Sequence, residues 1–119
     1  MATYTHPSSA LLEHMHTAVL HLDAGLVVRY LNPAAEMLFG VSARQLLGQP
    51  FVALASGAAD LQAGIRQALS TGVAYTERER RLVIGPQQVV TVDSTATPLP
   101  NNEVLLELVH LDRQLRISR

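Results

Sequence analysis

Between Thr17 and Glu36 the chain reads TAVLHLDAGLVVRYLNPAAE, and this stretch constrains the fold more than any other. Two short apolar segments flank Asp23-Ala24-Gly25, a turn composition, and the second segment stops at Asn32-Pro33. Pro33 has a fixed φ and no N–H, so it suits the first turn of a helix and not a strand interior. Asn32 can cap the free N–H groups of that helix with its side chain. The residues predict a β-hairpin that passes directly into a helix, and the remaining elements must build on that corner.

Strict alternation along Thr17–Asp23 offers Ala18, Leu20 and Leu22 to one face and Val19 and His21 to the other. Along Leu26–Leu31 it sets Leu26, Val28 and Tyr30 against Val27, Arg29 and Leu31. Pro33–Phe39 reads as a short helix closed by Gly40, and Ser42-Ala43-Arg44-Gln45 as a capping box that starts another. Asp60–Ser70 carries Leu61, Ile65, Ala68 and Leu69 on one stripe and ends at Gly72; Gly64 within it predicts close packing. Tyr75–Ile84 and Gln88–Thr97 form a hairpin around Gly85-Pro86-Gln87, and Glu103–Leu111 is the last strand. Helices packed on one face of a five-stranded antiparallel sheet make an α+β domain. Its boundaries are set at residues 17–111, after a leader and amphipathic helix in 1–16 and before a helix start in 112–119. That last helix stops in mid-pattern, as expected of a piece of a longer protein.

With 119 residues, the chain has the length of one domain. Hydrophobic residues at 48% and charged residues at 16% place it among globular proteins, and 4% aromatics without Trp require an aliphatic core. A net charge of −1 offers no basic stripe for nucleic acid. The absence of Cys excludes disulfides, thiolate catalysis and flavin–cysteine chemistry. No apolar run is long enough to span a bilayer and the first residues do not form a signal peptide, so a cytoplasmic location is expected.

A search for chemistry finds no catalytic, cofactor-binding or metal site. His14 and His16 fall on different faces of a predicted helix, while His6, His21 and His110 are scattered, so surface or interface roles suit all five. The serines sit at helix edges, there is no Gly-x-Ser-x-Gly elbow, and the glycines occur singly. Asp93 and Glu107, on neighbouring predicted strands, are expected to pair with arginines across the sheet. In Glu77-Arg78-Glu79-Arg80-Arg81, alternation places Glu77, Glu79 and Arg81 on one face and Arg78 and Arg80 on the other.

Both sheet faces are partly apolar, which suggests two uses. Val19, Val27 and Leu31 would pack with Leu11, Leu12 and Met15 of the same or a partner chain, forming an interaction and signal-relay surface. Alternatively, Leu20, Val28 and Tyr30 would line a small-molecule pocket with Leu61 and Ile65, where Tyr30 and Asp93 supply the polar groups.

The elements LDAGLVVRYLNPAAEMLFG, VSARQLLGQP, the long helix and three closing strands resemble a PAS domain. NPAAEMLFGVSARQLLGQP, LVIGPQQVVTVDSTATPLP and EVLLELVHLDRQLRISR are similar to the sensory domains of NtrB-type nitrogen-regulation histidine kinases. This resemblance implies a PAS fold, a homodimer and a sensory role ahead of a kinase core absent from this chain. It also implies the signal protein PII and the response regulator NtrC as partners of the full-length protein. The alternative is a small-molecule-binding PAS receptor of another bacterial signalling protein. PAS domains that hold haem offer a His from the long helix, and those that react with flavin use a Cys. Neither is present here, so no cofactor is expected.

Overall fold

The corner predicted at Asn32-Pro33 is present. In a computed structural model, which describes residues 16–54, 57–85 and 88–111, strand β1 (Ala18–Leu22) turns into β2 (Val28–Leu31), and helix α1 (Pro33–Phe39) follows. Asn32 is the N-cap of α1: its Oδ1 accepts from Ala35 N–H at 3.0 Å. Gly40 closes the helix with a φ of 67°, a conformation that costs glycine little. Helix α2 (Ala43–Leu46) starts with the expected reciprocal box between Ser42 and Gln45. A 3-10 turn (Phe51–Ala53) leads on to helix α3 (Ala58–Thr71), which begins two residues earlier than the sequence pattern predicts. Strands β3 (Tyr75–Gly85), β4 (Gln88–Leu99) and β5 (Glu103–His110) complete the fold, with a 3-10 turn (Pro100–Asn102) between the last two.

All neighbouring strands are antiparallel in the order β2-β1-β5-β4-β3. The first and last strands therefore meet at the centre, with Ala18 opposite Leu108 and Leu22 opposite Val104. His16 and Leu111, the outermost described residues, consequently leave the sheet at the same end. One face carries Leu20, Leu22, Val92, Val104, Leu106 and Leu108, and α3 covers it with Leu61, Ile65 and Ala68. Phe39, Leu46, Phe51 and Leu54 from the shorter helical segments close the same core. The edge of β2 is not left open: Val28 exchanges backbone hydrogen bonds with Gln49 and Gly48, and Phe51 N–H donates to Leu26 C=O.

Two β-bulges overturn face assignments that strict alternation predicts. Leu20 pairs with Leu31, His21 with Tyr30 and Leu22 with Val28, so Arg29 is an extra residue in β2. An extra residue reverses the alternation beyond it. Leu31 therefore joins Val28 in the core, at 4% exposure, and Tyr30 goes to the outer face opposite His21. In β3, Glu77 pairs with Ser94 and Arg80 with Val92, leaving Arg78 and Glu79 to share the single residue Asp93. Glu79 adopts a φ of 55° there. Glu77 and Arg80, expected on opposite faces, form an ion pair at 3.2 Å, and Arg80 also donates to Asp60 C=O on α3 at 3.1 Å.

Close packing at Gly64 is borne out. A Cβ there would lie 3.1 Å from both Glu77 Oε1 and the Tyr75 ring. Gly57 is tighter still: its N–H donates to Val83 C=O at 2.8 Å, and a Cβ would sit 2.6 Å from Val83 N. The predicted N-terminal helix and the helix start after Leu111 lie outside the described residues.

Candidate functional site

The six residues expected to line a pocket do not come together around one. Leu20, Val28, Leu61 and Ile65 are at most 2% exposed and pack into the core. Tyr30 and Asp93, the two polar members, lie on the other side of the sheet. Asp93 falls between the buried Val92 and Ser94, and so points away from the helices. Its carboxylate accepts from Glu79 N–H at 2.8 Å and faces the Arg78 guanidinium at 3.7 Å. Its expected pairing with an arginine across the sheet is found; its expected place in a pocket is not. The β2 bulge, which no residue pattern announced, is what removes Tyr30.

Of the expected interface residues, Leu11, Leu12 and Met15 lie outside the described residues. Val19 does lie on the outer face, opposite Glu107, and is only 1% exposed although it is not part of the core cluster. Val27 is half-buried and bridges to Pro50 at the sheet margin, whereas Leu31 is in the core. The outer face as built carries Val19, His21, Tyr30, Leu105, Glu107 and Val109 around the central strands. His21 Nε2 and Glu103 Oε1 meet on it at 2.8 Å, tying β1 to the start of β5.

At one margin of this face sits a buried polar side chain that bridges two elements. Asn32, fully buried, accepts from Val19 N–H at 2.9 Å and from Ala35 N–H, while its Nδ2 donates to Thr17 C=O at 2.8 Å. Its main chain adds a bond from Asn32 N–H to Val19 C=O at 3.1 Å. One amide thus fastens the first residues of β1 to the start of α1. The Asn-Pro signal identifies the cap; the bonds to β1 depend on the strand's position in space.

The β1–β2 turn is organised by Asp23, whose Oδ1 accepts from Gly25 N–H at 2.9 Å and Val27 N–H at 3.0 Å. Its Oδ2 meets the Arg29 guanidinium at 2.8 Å. The hydrogen bond from Val27 holds this carboxyl below its ordinary pKa, against the opposing effect of desolvation and with further help from Arg29 and Gly25. Leu26, next in the turn, has a φ of 61°.

A depression of about 290 Å³ opens between this turn (residues 24–26), the segment 50–52, and Gln62 and Arg66 on the flank of α3. It borders the core at Phe51 and shares none of the residues expected to line a pocket. Among the described residues no group of three His, Asp or Glu side chains could hold a metal ion, and no helix is long and apolar enough to cross a membrane.

Comparison with known proteins agrees with the fold. The family model described as PAS fold matches residues 12–113. The sensory histidine kinase/phosphatase NtrB of Escherichia coli O157:H7 is 34% identical over 121 residues, covering 100% of this chain and 34% of that protein. NtrB of Klebsiella oxytoca is 37% identical over 122 residues with the same coverage. The chain thus spans only 34% of the length of these relatives. The crystal structure of the PAS domain of nitrogen regulation protein NR(II) from Vibrio parahaemolyticus superposes with a TM-score of 0.76 at 33% identity. It covers 89% of this chain and 99% of that one. With its five-stranded sheet, its helices on one face and a match along nearly its whole length, the chain belongs to the PAS family and is homologous to the N-terminal PAS region of NtrB.

Proposed function

We propose that this chain is the sensory and dimerisation module of a cytoplasmic two-component kinase of nitrogen regulation. It passes signals to a kinase core outside the chain and has no catalysis of its own. The observation that carries this reading is the 34% identity to NtrB, which extends over all of this chain. The topology supports it: β1 and β5 lie side by side at the sheet centre, so segments before and after the domain leave from neighbouring positions. A change in how one segment packs can thereby reach the other through two hydrogen-bonded strands. The outer face carries the half-buried Leu105 and Val109 beside these strands, and burying one Leu side chain contributes about 1.5–3 kcal/mol. A few such contacts per subunit offset much of the entropy cost of dimerisation.

In this reading the partners of the full-length protein are a PII-type signal protein and an NtrC-type response regulator. The core-pocket alternative loses its polar groups, because Tyr30 and Asp93 face the other way. The test has two parts. In sedimentation at micromolar concentrations the chain is expected to dimerise and Leu12→Glu to weaken the dimer. In the full-length protein, Leu12→Glu is expected to disturb PII-dependent dephosphorylation of NtrC while ATP-dependent autophosphorylation persists. A monomeric chain, together with unaltered PII control in the variant, overturns the proposal.

A further inference from the structure

The depression beside the β1–β2 turn has a composition that the PAS assignment does not explain. Leu26, Pro50 and Val52 give its wall an apolar part, beside nearly as much polar surface. Its polar groups are Gln62 and Arg66, four residues apart on α3 and therefore on the same helix face. Arg29, Arg78 and Arg80 are each held by a carboxylate of this chain. Among the described residues, neither the Arg66 nor the Gln62 side chain enters a hydrogen bond or ion pair, and the same holds for the Arg44 and Arg81 side chains. The nearby Asp23 is already committed to Arg29 and two backbone N–H groups.

The turn on the far side of the depression is held in an uncommon conformation. Leu26 has a φ of 61°, a region that residues with a Cβ seldom adopt, and it is fixed there by Leu26 N–H to Asp23 C=O at 2.8 Å and Phe51 N–H to Leu26 C=O at 2.8 Å. These bonds tie the turn to the segment after Pro50, so two walls of the depression are pre-formed.

We infer that this depression binds a short aliphatic carboxylate, with the Arg66 guanidinium on the carboxylate and the alkyl chain against Leu26, Pro50 and Val52. A planar guanidinium matches a carboxylate with two parallel hydrogen bonds, and the Gln62 amide can donate one more. A single cation beside a partly apolar wall favours a monoanion with a short tail over a phosphate, which would need more positive charge. The volume of about 290 Å³ suits a molecule of a few carbon atoms. The site spans the β1–β2 turn and α3, so its ligand would fasten the hairpin to the long helix. It borders the core only at Phe51, and the inference does not depend on the kinase assignment.

The test is a titration of the chain with sodium hexanoate, followed by backbone amide shifts, with hexanamide as the uncharged isostere. Saturable shifts are expected at residues 24–26, 51–52, 62 and 66, with hexanamide binding about tenfold more weakly through loss of the charged hydrogen bonds. Arg66→Gln is expected to weaken hexanoate by about the same factor and to leave hexanamide unchanged. Val52→Asp, at a position 43% exposed, places a repelling carboxylate at the rim and should abolish hexanoate binding without unfolding the domain. Equal affinity for the two compounds, indifference to Arg66→Gln, or shifts that spread over the chain without saturating each overturn the inference.

Discussion

Replacing Asn32 by Ala tests whether one buried amide holds the strand layer to the helix layer. The side chain is fully buried and makes hydrogen bonds to Val19 N–H, Ala35 N–H and Thr17 C=O. Ala35 N–H keeps a main-chain acceptor in the carbonyl of residue 32 at 3.0 Å, so loss of the cap costs only about 0.5–1 kcal/mol. Val19 N–H is the larger loss, because Val19 is 1% exposed and water cannot replace the amide; an unsatisfied buried donor costs about 1–3 kcal/mol. Thr17 is half-buried and its carbonyl can recover part of its bond from water. The sum is roughly 3 kcal/mol, a large share of the roughly 5–15 kcal/mol that stabilises a domain. In urea denaturation followed by circular dichroism, with a slope of about 2 kcal/mol per molar, the midpoint should fall by roughly 1.5 M. Asn32→Asp sharpens the test: it keeps the acceptor but turns the donor facing Thr17 C=O into a second acceptor. The difference between the two variants then separates the bonds from Val19 and Ala35 N–H from the bond to Thr17 C=O. A midpoint shift below about 0.3 M for Asn32→Ala would refute the argument, since it would mean that Val19 N–H finds another partner at little cost.

Three other substitutions have defined outcomes. Gly57→Ala forces a Cβ to within 2.6 Å of the Val83 backbone, whereas at Gly64 the 3.1 Å contacts are to the Glu77 and Tyr75 side chains, which can shift. Thermal melts should show a loss of about 2 kcal/mol or more for Gly57→Ala, against less than about 1 kcal/mol for Gly64→Ala, where improved helix propensity offsets the crowding. The Asp23 carboxyl, held down first by the Val27 N–H hydrogen bond and further by Arg29, should titrate below its ordinary 3.8 in a carbon-detected NMR titration. With the folded pKa lowered, its stabilising effect is present above the unfolded value and disappears as pH falls through the folded one. Arg29→Ala should move the titration upward, and an unmoved midpoint would remove Arg29 from the account.

Local chemistry made much of this fold readable before any coordinates. Asn32-Pro33, the Ser42–Gln45 box, and Gly40 and Gly72 at helix ends act through bonds within a few residues, so the residues themselves carry the information. Helix α3 was legible from its stripe of Leu61, Ile65 and Ala68, and β5 from the regular alternation of Val104, Leu106 and Leu108. The candidate site was far less legible. Strict alternation sets Leu31 and Tyr30 on the wrong side of the sheet, the pocket reading does the same for Asp93, and Gln62 and Arg66 give no signal, being two ordinary polar residues on a helix flank.

The difference has a physical cause. Caps, turns and amphipathic periods are decided by neighbours in sequence, and this chain has them at nearly every element boundary. A bulge is decided by pairing between strands: Arg29 and the Arg78–Glu79 pair become extra residues only because β1 and β4 hold the flanking residues in register. Since side chains alternate with a period of two, one extra residue changes the face of those that follow. The meeting of β1 and β5, the reach of Asn32 to Val19 and the depression against Arg66 arise in the same way. Each joins segments distant in sequence, and only the packed sheet and helices bring them together.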